Sequence, residues 1–279
     1  MNHEKKFVSL INPPQFFSKT QFAAGVIPPL GLMYLSAFLK SQGHRVEIID
    51  SVVEQPENYY DIDGNISCRG MYIKDIVDCI KNDVKLIGIT NLFSFSFPII
   101  RKLTQKIKSE FPAVPIVVGG AHPSATPVET IQEAYIDYVI ISEGEETLNE
   151  LVNHLDDEEY LQKLDGICFK NKSGKIVFNP KTNFVKNLDS LPFPSRELIP
   201  LKKYYQVHEA HGPVKDRWTP ILSSRGCPFK CTFCTQSIWN RCYRARSPKN
   251  VVDEIETCVK KYGITEFHFE DENLTLNSV

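Results

Sequence analysis

Five short apolar runs alternate with helix-patterned segments through the first half of the chain, and that alternation constrains the fold more than any other feature. The runs are KFVSLIN (6–12), HRVEIID (44–50), VKLIGIT (84–90), VPIVVGG (114–120) and DYVIIS (137–142). Strands that are apolar on both faces belong inside a sheet covered on both sides. Between them lie PPLGLMYLSAFLKSQG (28–43), with prolines at its start and Gly43 as a stop, then FPIIRKLTQKIKSEF (97–111), TPVETIQEA (126–134) and EETLNELVNHL (145–155). These carry apolar residues at helical spacing. The pattern predicts an α/β fold built on a doubly wound parallel sheet.

Ligands of such sheets bind beyond the carboxyl ends of the strands. Those ends carry Asn12, Pro13 and Pro14, then Asn91 and Ser94, then Gly119, Gly120 and His122, and finally Glu143, Gly144 and Glu145. The run VVGGAHPS lacks G-x-G-x-x-G spacing, so an ordinary dinucleotide site is not expected. Tight turns are the other account of its glycines. Glu143 and Glu145 also suit the positive end of the helix that follows.

Residues 166–179 read as a hairpin around an NKSG turn. The tract NLDSLPFPSRELIPLKKYY (187–205) reads as a linker, because its prolines fit neither a helix interior nor a central strand. A second unit begins at Trp218. TPILSSRG (219–226) and ITEFHFED (264–271) are strand-like, and SPKNVVDEIETCVKKYG (247–263) is a helix with Ser247 as cap, Pro248 at the first position and Gly263 as stop. The expected regions are therefore 1–160, 161–217 and 218–279.

The 279 residues suit about two domains. A net charge of -2 gives no reason to expect nucleic acid or an anionic membrane as partner. The opening MNHEKKFVSLINPP holds an apolar run too short for a secretion signal or a membrane span, so a cytoplasmic location is expected. Without a secretion signal, the eight cysteines read as ligands, catalytic groups or plain thiols rather than as disulfides.

Three of them, Cys227, Cys231 and Cys234 in SSRGCPFKCTFCTQ (223–236), form C-x3-C-x2-C. Structural zinc wants four ligands, and Cys242, His208 and His211 stand at no familiar finger spacing. An iron–sulfur cluster on three thiolates leaves one iron free for another ligand. Spacing alone leaves both open. Cys68, Cys79, Cys168, Cys242 and Cys258 read as plain thiols, and Arg244 and Arg246 as a solvated pair.

With Phe233 before the third cysteine, the motif resembles that of the radical S-adenosylmethionine (SAM) enzymes, C-x3-C-x-aromatic-C. Other stretches resemble one subgroup, the radical SAM proteins with a cobalamin-binding domain. They are NPP (12–14), PPLGLMYLSAFL, VVGGAHPS, SEGEETLNEL, LPFPSRELIP, YRARSPKNVVDEIE and FHFEDENLT, in the expected order over nearly the whole chain. The resemblance implies an N-terminal Rossmann-like or flavodoxin-like cobalamin domain, followed by the start of a radical SAM partial (βα) barrel.

It further implies a 4Fe-4S cluster on Cys227, Cys231 and Cys234. S-adenosyl-L-methionine would occupy the open iron, facing Phe233, with Glu270 and Asp271 accepting its ammonium or ribose hydroxyls. Cobalamin would rest on Asn12, Pro13, Asn91, Ser94, Gly119, Gly120, His122, Glu143 and Gly144. No histidine follows an aspartate by two positions, so the cobalt-ligating D-x-H-x-x-G motif is absent.

The implied function is methyl transfer to an unactivated atom of a small-molecule substrate via a 5'-deoxyadenosyl radical, with an electron donor such as flavodoxin or ferredoxin. The alternatives are radical cyclisation or rearrangement, a non-catalytic module that binds cobalamin and a cluster, and a zinc-stabilised interaction protein. A whole parallel barrel needs more strand–helix units than residues 218–279 hold. The resemblance thus implies a fragment, or a barrel completed by a second chain.

Overall fold

The computed structural model describes residues 4–20, 25–235 and 238–276. The outer ends of the first and third expected regions, residues 1–3 and 277–279, lie outside the described residues. In chain order the elements are β1 (Phe7–Asn12), β2 (Gln15–Ser18), α1 (Leu30–Ser41), β3 (Arg45–Asp50), α2 (Ser51–Glu54), β4 (Tyr59–Asp63), β5 (Ile66–Arg69), α3 (Ile73–Cys79), β6 (Leu86–Thr90) and α4 (Phe97–Glu110). Then come β7 (Ile116–Gly119), α5 (Ala121–Ala125), α6 (Pro127–Ile131), β8 (Tyr138–Ile140), α7 (Glu145–Asn153), α8 (Glu158–Leu161), β9 (Ile167–Lys170) and β10 (Ile176–Asn179). The chain continues through α9 (Leu201–Val207), β11 (Trp218–Ile221), β12 (Ser224–Arg225), β13 (Arg244–Ala245), α10 (Pro248–Tyr262) and β14 (Glu266–Phe269).

The main sheet has the order β10-β9-β8-β7-β6-β1-β3. Strands β3, β1, β6, β7 and β8 run parallel. Counted by sequence, the parallel strands stand in the order 2-1-3-4-5, the flavodoxin-like doubly wound arrangement. All five expected strands are present in it. The hairpin β9–β10, assigned from sequence to the connecting region, instead extends this sheet antiparallel beyond β8.

Alternate side chains of each strand serve opposite layers. On one face Ile11, Ile87 and Val118 pack with Ile76 of α3 and Ile99, Leu103 and Ile107 of α4. On the other, Leu10, Val117 and Ile140 pack with Leu32 and Leu39 of α1 and Leu148 and Leu151 of α7. Burying each such side chain contributes about 1.5–3 kcal/mol, enough to hold the layers together.

Residues 15–18, between β1 and α1, and residues 59–69, between β3 and α3, form structure that the sequence reading did not assign. Strands β2, β5 and β4 make a small antiparallel sheet. Arg69 of β5 donates from Nη1 and Nη2 to the two carboxylate oxygens of Glu209, at 2.7 and 2.8 Å, which fastens this sheet to the chain after α9.

In the second unit β11 and β14 pair in parallel, connected through α10. The helix begins where expected: Ser247 Oγ accepts the Asn250 N–H at 3.1 Å, Pro248 follows, and Gly263 closes it with φ 66°. This strand–helix–strand segment is the kind of unit from which βα barrels are built. Among the described residues no helix is long and apolar enough to cross a membrane.

Candidate cofactor site

A cavity of about 260 Å³ opens at the carboxyl end of the parallel sheet, between it and helices α1 and α7. Leu10, Gly88, Val117 and Ile140 form its floor, Tyr34 and Leu35 one wall, and Arg225 and Trp239 another. A Cβ on Gly88 would come within 2.7 Å of Leu10 Cδ2, so the glycine keeps the floor of this space low. Gly120 has φ 114°, and a Cβ there would meet the Asn91 carbonyl oxygen at 2.5 Å. Only glycine allows the chain to turn out of β7 at this closeness.

Four of the nine residues expected to face cobalamin, Gly119, Gly120, Glu143 and Gly144, line the cavity. Asn91, Ser94 and His122 form a neighbouring group on the connections after β6 and β7. His122 Nδ1 lies 3.0 Å from Ser94 Oγ, and Ser96 Oγ donates to Asn91 Oδ1 at 2.8 Å. Asn91 is 1% exposed, with its Nδ2 lacking a hydrogen-bond partner. Burial, and then the Arg101 charge, hold the His122 imidazole below its usual range.

Asn12 and Pro13 stand apart from the cavity lining. Asn12 Nδ2 donates to Asp50 Oδ1 at 2.9 Å, and the Tyr204 hydroxyl donates to the other oxygen. Asn12 thus helps dock α9 against the end of β3. Burial pushes the Asp50 carboxyl up to about 6, although the bonds from Tyr204 and Asn12 oppose the shift.

The acidic residues after β8 meet arginines from the second unit. Arg225 Nη1 is 3.1 Å from Glu143 Oε1, and Arg225 Nη2 is 2.7 Å from Glu145 Oε1. Arg244 lies 2.9 Å from the Glu143 carboxylate, which also accepts the Val185 N–H at 2.9 Å. Burial alone would raise the Glu145 carboxyl, but the Arg225 charge and hydrogen bond hold it below its ordinary value. Burial would likewise lower the Arg225 guanidinium, and the charges of Glu145 and Glu143 reverse that shift. Arg244 and Arg246, expected as a solvated pair, are both drawn into ion pairs, with Glu143 and Glu254.

Tyr34, Arg225 and Trp239 were missed from sequence. Arg225 lies over both rings, its guanidinium carbon 4.9 Å from the Tyr34 centroid and 5.1 Å from that of Trp239. The only sequence signal was an arginine directly before the Gly226–Cys227 corner.

Cys227, Cys231 and Cys234 share the loop that leaves β12 and returns to β13. Gly226 turns into it with φ 84°, and its N–H donates to Glu272 Oε2 at 3.0 Å. Cys231 is exposed, Cys227 and Cys234 are half-buried, and Phe233 is 89% exposed. Three thiols on one loop are the donor chemistry of a cluster with an open position. Among the described residues, however, no three His, Cys, Asp or Glu side chains stand grouped to hold a metal.

The expected SAM-side carboxylates are engaged by their own chain. Asp271 accepts from the Ser223 N–H and from Ser223 Oγ at 2.8 Å, and also from Ser224 Oγ. Glu270 Oε2 stands 2.8 Å from His211 Nδ1. Asp271 therefore shapes the turn between β11 and β12, one step before the cysteine loop.

The B12 binding domain family matches residues 22–152. An uncharacterized methyltransferase, PH0819, from Pyrococcus horikoshii is 32% identical over 275 residues, covering 97% of this chain and 54% of the relative. Cytidylyl-2-hydroxyethylphosphonate methyltransferase from Streptomyces wedmorensis is 29% identical, covering 88% of this chain and 51% of the relative. Among solved structures, the cobalamin-dependent S-adenosylmethionine radical enzyme OxsB with aqua-cobalamin bound superposes with a TM-score of 0.69. It is 25% identical, over 97% of this chain and 34% of that one. The chain belongs to the radical SAM proteins with a cobalamin-binding domain. As a member of that family it joins a doubly wound sheet to the opening strands of a radical SAM unit. It spans about half the length of the curated relatives it matches.

Proposed function

We propose that this chain is part of a cobalamin-dependent radical SAM enzyme that transfers a methyl group to an unactivated atom of a small-molecule substrate. The observation that carries the reading is a shared wall. Arg225 lines the strand-end cavity and directly precedes the corner into the three-cysteine loop. Two cofactor sites this close suit chemistry that needs both.

Cobalamin suits the first site. An apolar cavity of about 260 Å³ is too small for a corrin ring but takes a single heterocyclic base. The ring would then lie over the strand ends near Gly119, Gly120 and Gly144, where glycines permit close approach. Cys227, Cys231 and Cys234 would supply thiolates to a 4Fe-4S cluster, with Phe233 and Glu270 on the SAM side. When bound, the cofactors would supply a transferable methyl group and, through SAM cleavage, a 5'-deoxyadenosyl radical that abstracts hydrogen. The protein's part is placement. Buried Glu143 and Glu145 hold the arginines at the root of the loop, and the apolar floor excludes water.

In this reading residues 1–160 hold cobalamin, 161–217 connect, and 218–279 open the radical SAM domain. The β9–β10 hairpin packs with the first of these. A small electron-transfer protein such as flavodoxin or ferredoxin would reduce the cluster.

The test is anaerobic reconstitution with iron, sulfide and hydroxocobalamin, followed by absorption and EPR spectra with and without SAM. Bound corrin and a reduced-cluster signal that SAM perturbs are expected. Corrin with no SAM-responsive cluster would make this chain a cobalamin-binding module. Bound zinc with neither chromophore would overturn the reading.

A further inference from the structure

The cavity at the strand ends is built mainly from side chains of one chemistry. Leu10, Val117 and Ile140 on its floor are buried parts of the apolar layer of the sheet, and Leu35 of α1 and Leu148 of α7 belong to the same cluster and line the same space. Gly88 of β6 lies among them, and a Cβ there would come within 2.7 Å of Leu10 Cδ2. The charged residues of the lining are already paired. Arg225 holds Glu143 at 3.1 Å and Glu145 at 2.7 Å, and all three are buried. Among the described residues, the other polar side chains of the lining are the hydroxyls of Tyr34, Thr90 and Ser142 and the indole of Trp239.

A hydroxyl or an indole N–H can meet one lone pair of a heterocycle. None of these side chains carries an amide, the group that pairs the alternating donor and acceptor edge of a purine. A benzimidazole and a purine are both two fused rings, so a space of about 260 Å³ does not separate them by size. They differ at their edges. The six-membered ring of a benzimidazole is hydrocarbon, whereas that of adenine has ring nitrogens and an exocyclic amine. Buried against leucine, valine and isoleucine, those groups lose hydrogen bonds to water and gain none in return.

We infer that this cavity selects among corrinoids by the polarity of the base they carry, taking a benzimidazole and rejecting a purine. This deepens the cobalamin reading and rests on it. Leu10, Val117, Ile140, Leu35 and Leu148 set the preference, and Gly88 leaves the room for the base.

The experiment is an absorbance titration of the full 279-residue chain with hydroxocobalamin, with its analogue carrying adenine in place of dimethylbenzimidazole, and with cobinamide, which has no base. The readout is the set of dissociation constants. Hydroxocobalamin is expected to bind about tenfold or more tightly than the adenine analogue, and more tightly than cobinamide. Leu35→Gln, which sets an amide in the wall, should narrow the gap between the two complete corrinoids. Gly88→Ala should weaken hydroxocobalamin and leave cobinamide unchanged. If Gly88→Ala does not fold, judged by its circular dichroism, Leu35→Gln at its half-buried position carries the variant arm. Failure of the wild type to bind any of the three overturns the functional reading, and the selectivity with it. Equal affinity for the two complete corrinoids, cobinamide as tight as hydroxocobalamin, or variants that keep the wild-type ratios would overturn the selectivity alone.

Discussion

Glu254 Oε1 stands 2.7 Å from Arg196 Nη2, and neither side chain reaches solvent. The pair joins α10 to the proline-rich connection, and Arg246 closes on the other Glu254 oxygen at 2.6 Å. Both oxygens are buried, and the guanidinium groups meet them at ion-pair distance rather than along ideal hydrogen-bond lines. Glu254→Ala would leave two buried cations without a counter-charge, a loss of about 3–5 kcal/mol. Urea unfolding checks this, and a change below about 1 kcal/mol would mean that water or another carboxylate replaces Glu254.

Asp50 should give the chain a pH-dependent term of known sign. Burial pushes its folded value up to about 6, so the native state keeps a proton that the unfolded chain releases near pH 4. The stabilisation from this group is complete below about pH 4 and is lost as pH rises through about 6, by about 3 kcal/mol. Asp50→Asn abolishes the titration. Measured from pH 4 to pH 7, its unfolding free energy should gain on the wild type by that amount, whereas parallel profiles would show that Asp50 does not titrate in this window.

The cysteines should separate into two classes. Cys227→Ser, Cys231→Ser and Cys234→Ser should each lose most of the iron and sulfide bound after reconstitution, because each removes one of three thiolates. Cys242→Ser and Cys258→Ser should retain it. Iron analysis on the purified variants decides the matter, and loss of metal in Cys242→Ser would point to a four-thiolate site instead.

Gly226→Ala tests the corner itself. The backbone there has φ 84°, and an added Cβ would collide with the Cys242 carbonyl. Backbone strain of this kind costs about 1–3 kcal/mol, and relief of the collision would displace the loop. Reconstituted iron content should fall while the far-ultraviolet circular dichroism of the sheet stays unchanged. Full iron content in this variant would show that the loop tolerates a shifted root.

Much of this architecture was legible because its signals are local. The five parallel strands are buried on both faces, so they read as unbroken apolar runs. Helix α10 announced itself through Ser247, Pro248 and Gly263. The sheet of β2, β4 and β5 was not legible, since YYDID and ISCR have mixed composition and acquire their order from Arg69 reaching Glu209 far along the chain. The same holds at the site. Glu143 looked like a strand-end ligand, yet most of its contacts are with Arg225 and Arg244, some eighty to one hundred residues away. Periodicity carries no record of such pairs. Asp271 stood out in sequence as a carboxylate at a strand end, but the serines that occupy its oxygens are visible only once β11 and β14 lie side by side.

The antiparallel pairing of β12 with β13 has a further consequence. Ser224 faces Ala245 and Arg225 faces Arg244, so the stretch between them leaves and rejoins the protein at one point. The entropic penalty of bringing the ends of that loop together grows only slowly with its length, and here it is incurred when the chain folds. Whatever assembles on the three thiols later has only to choose among shapes of a noose that is already tied.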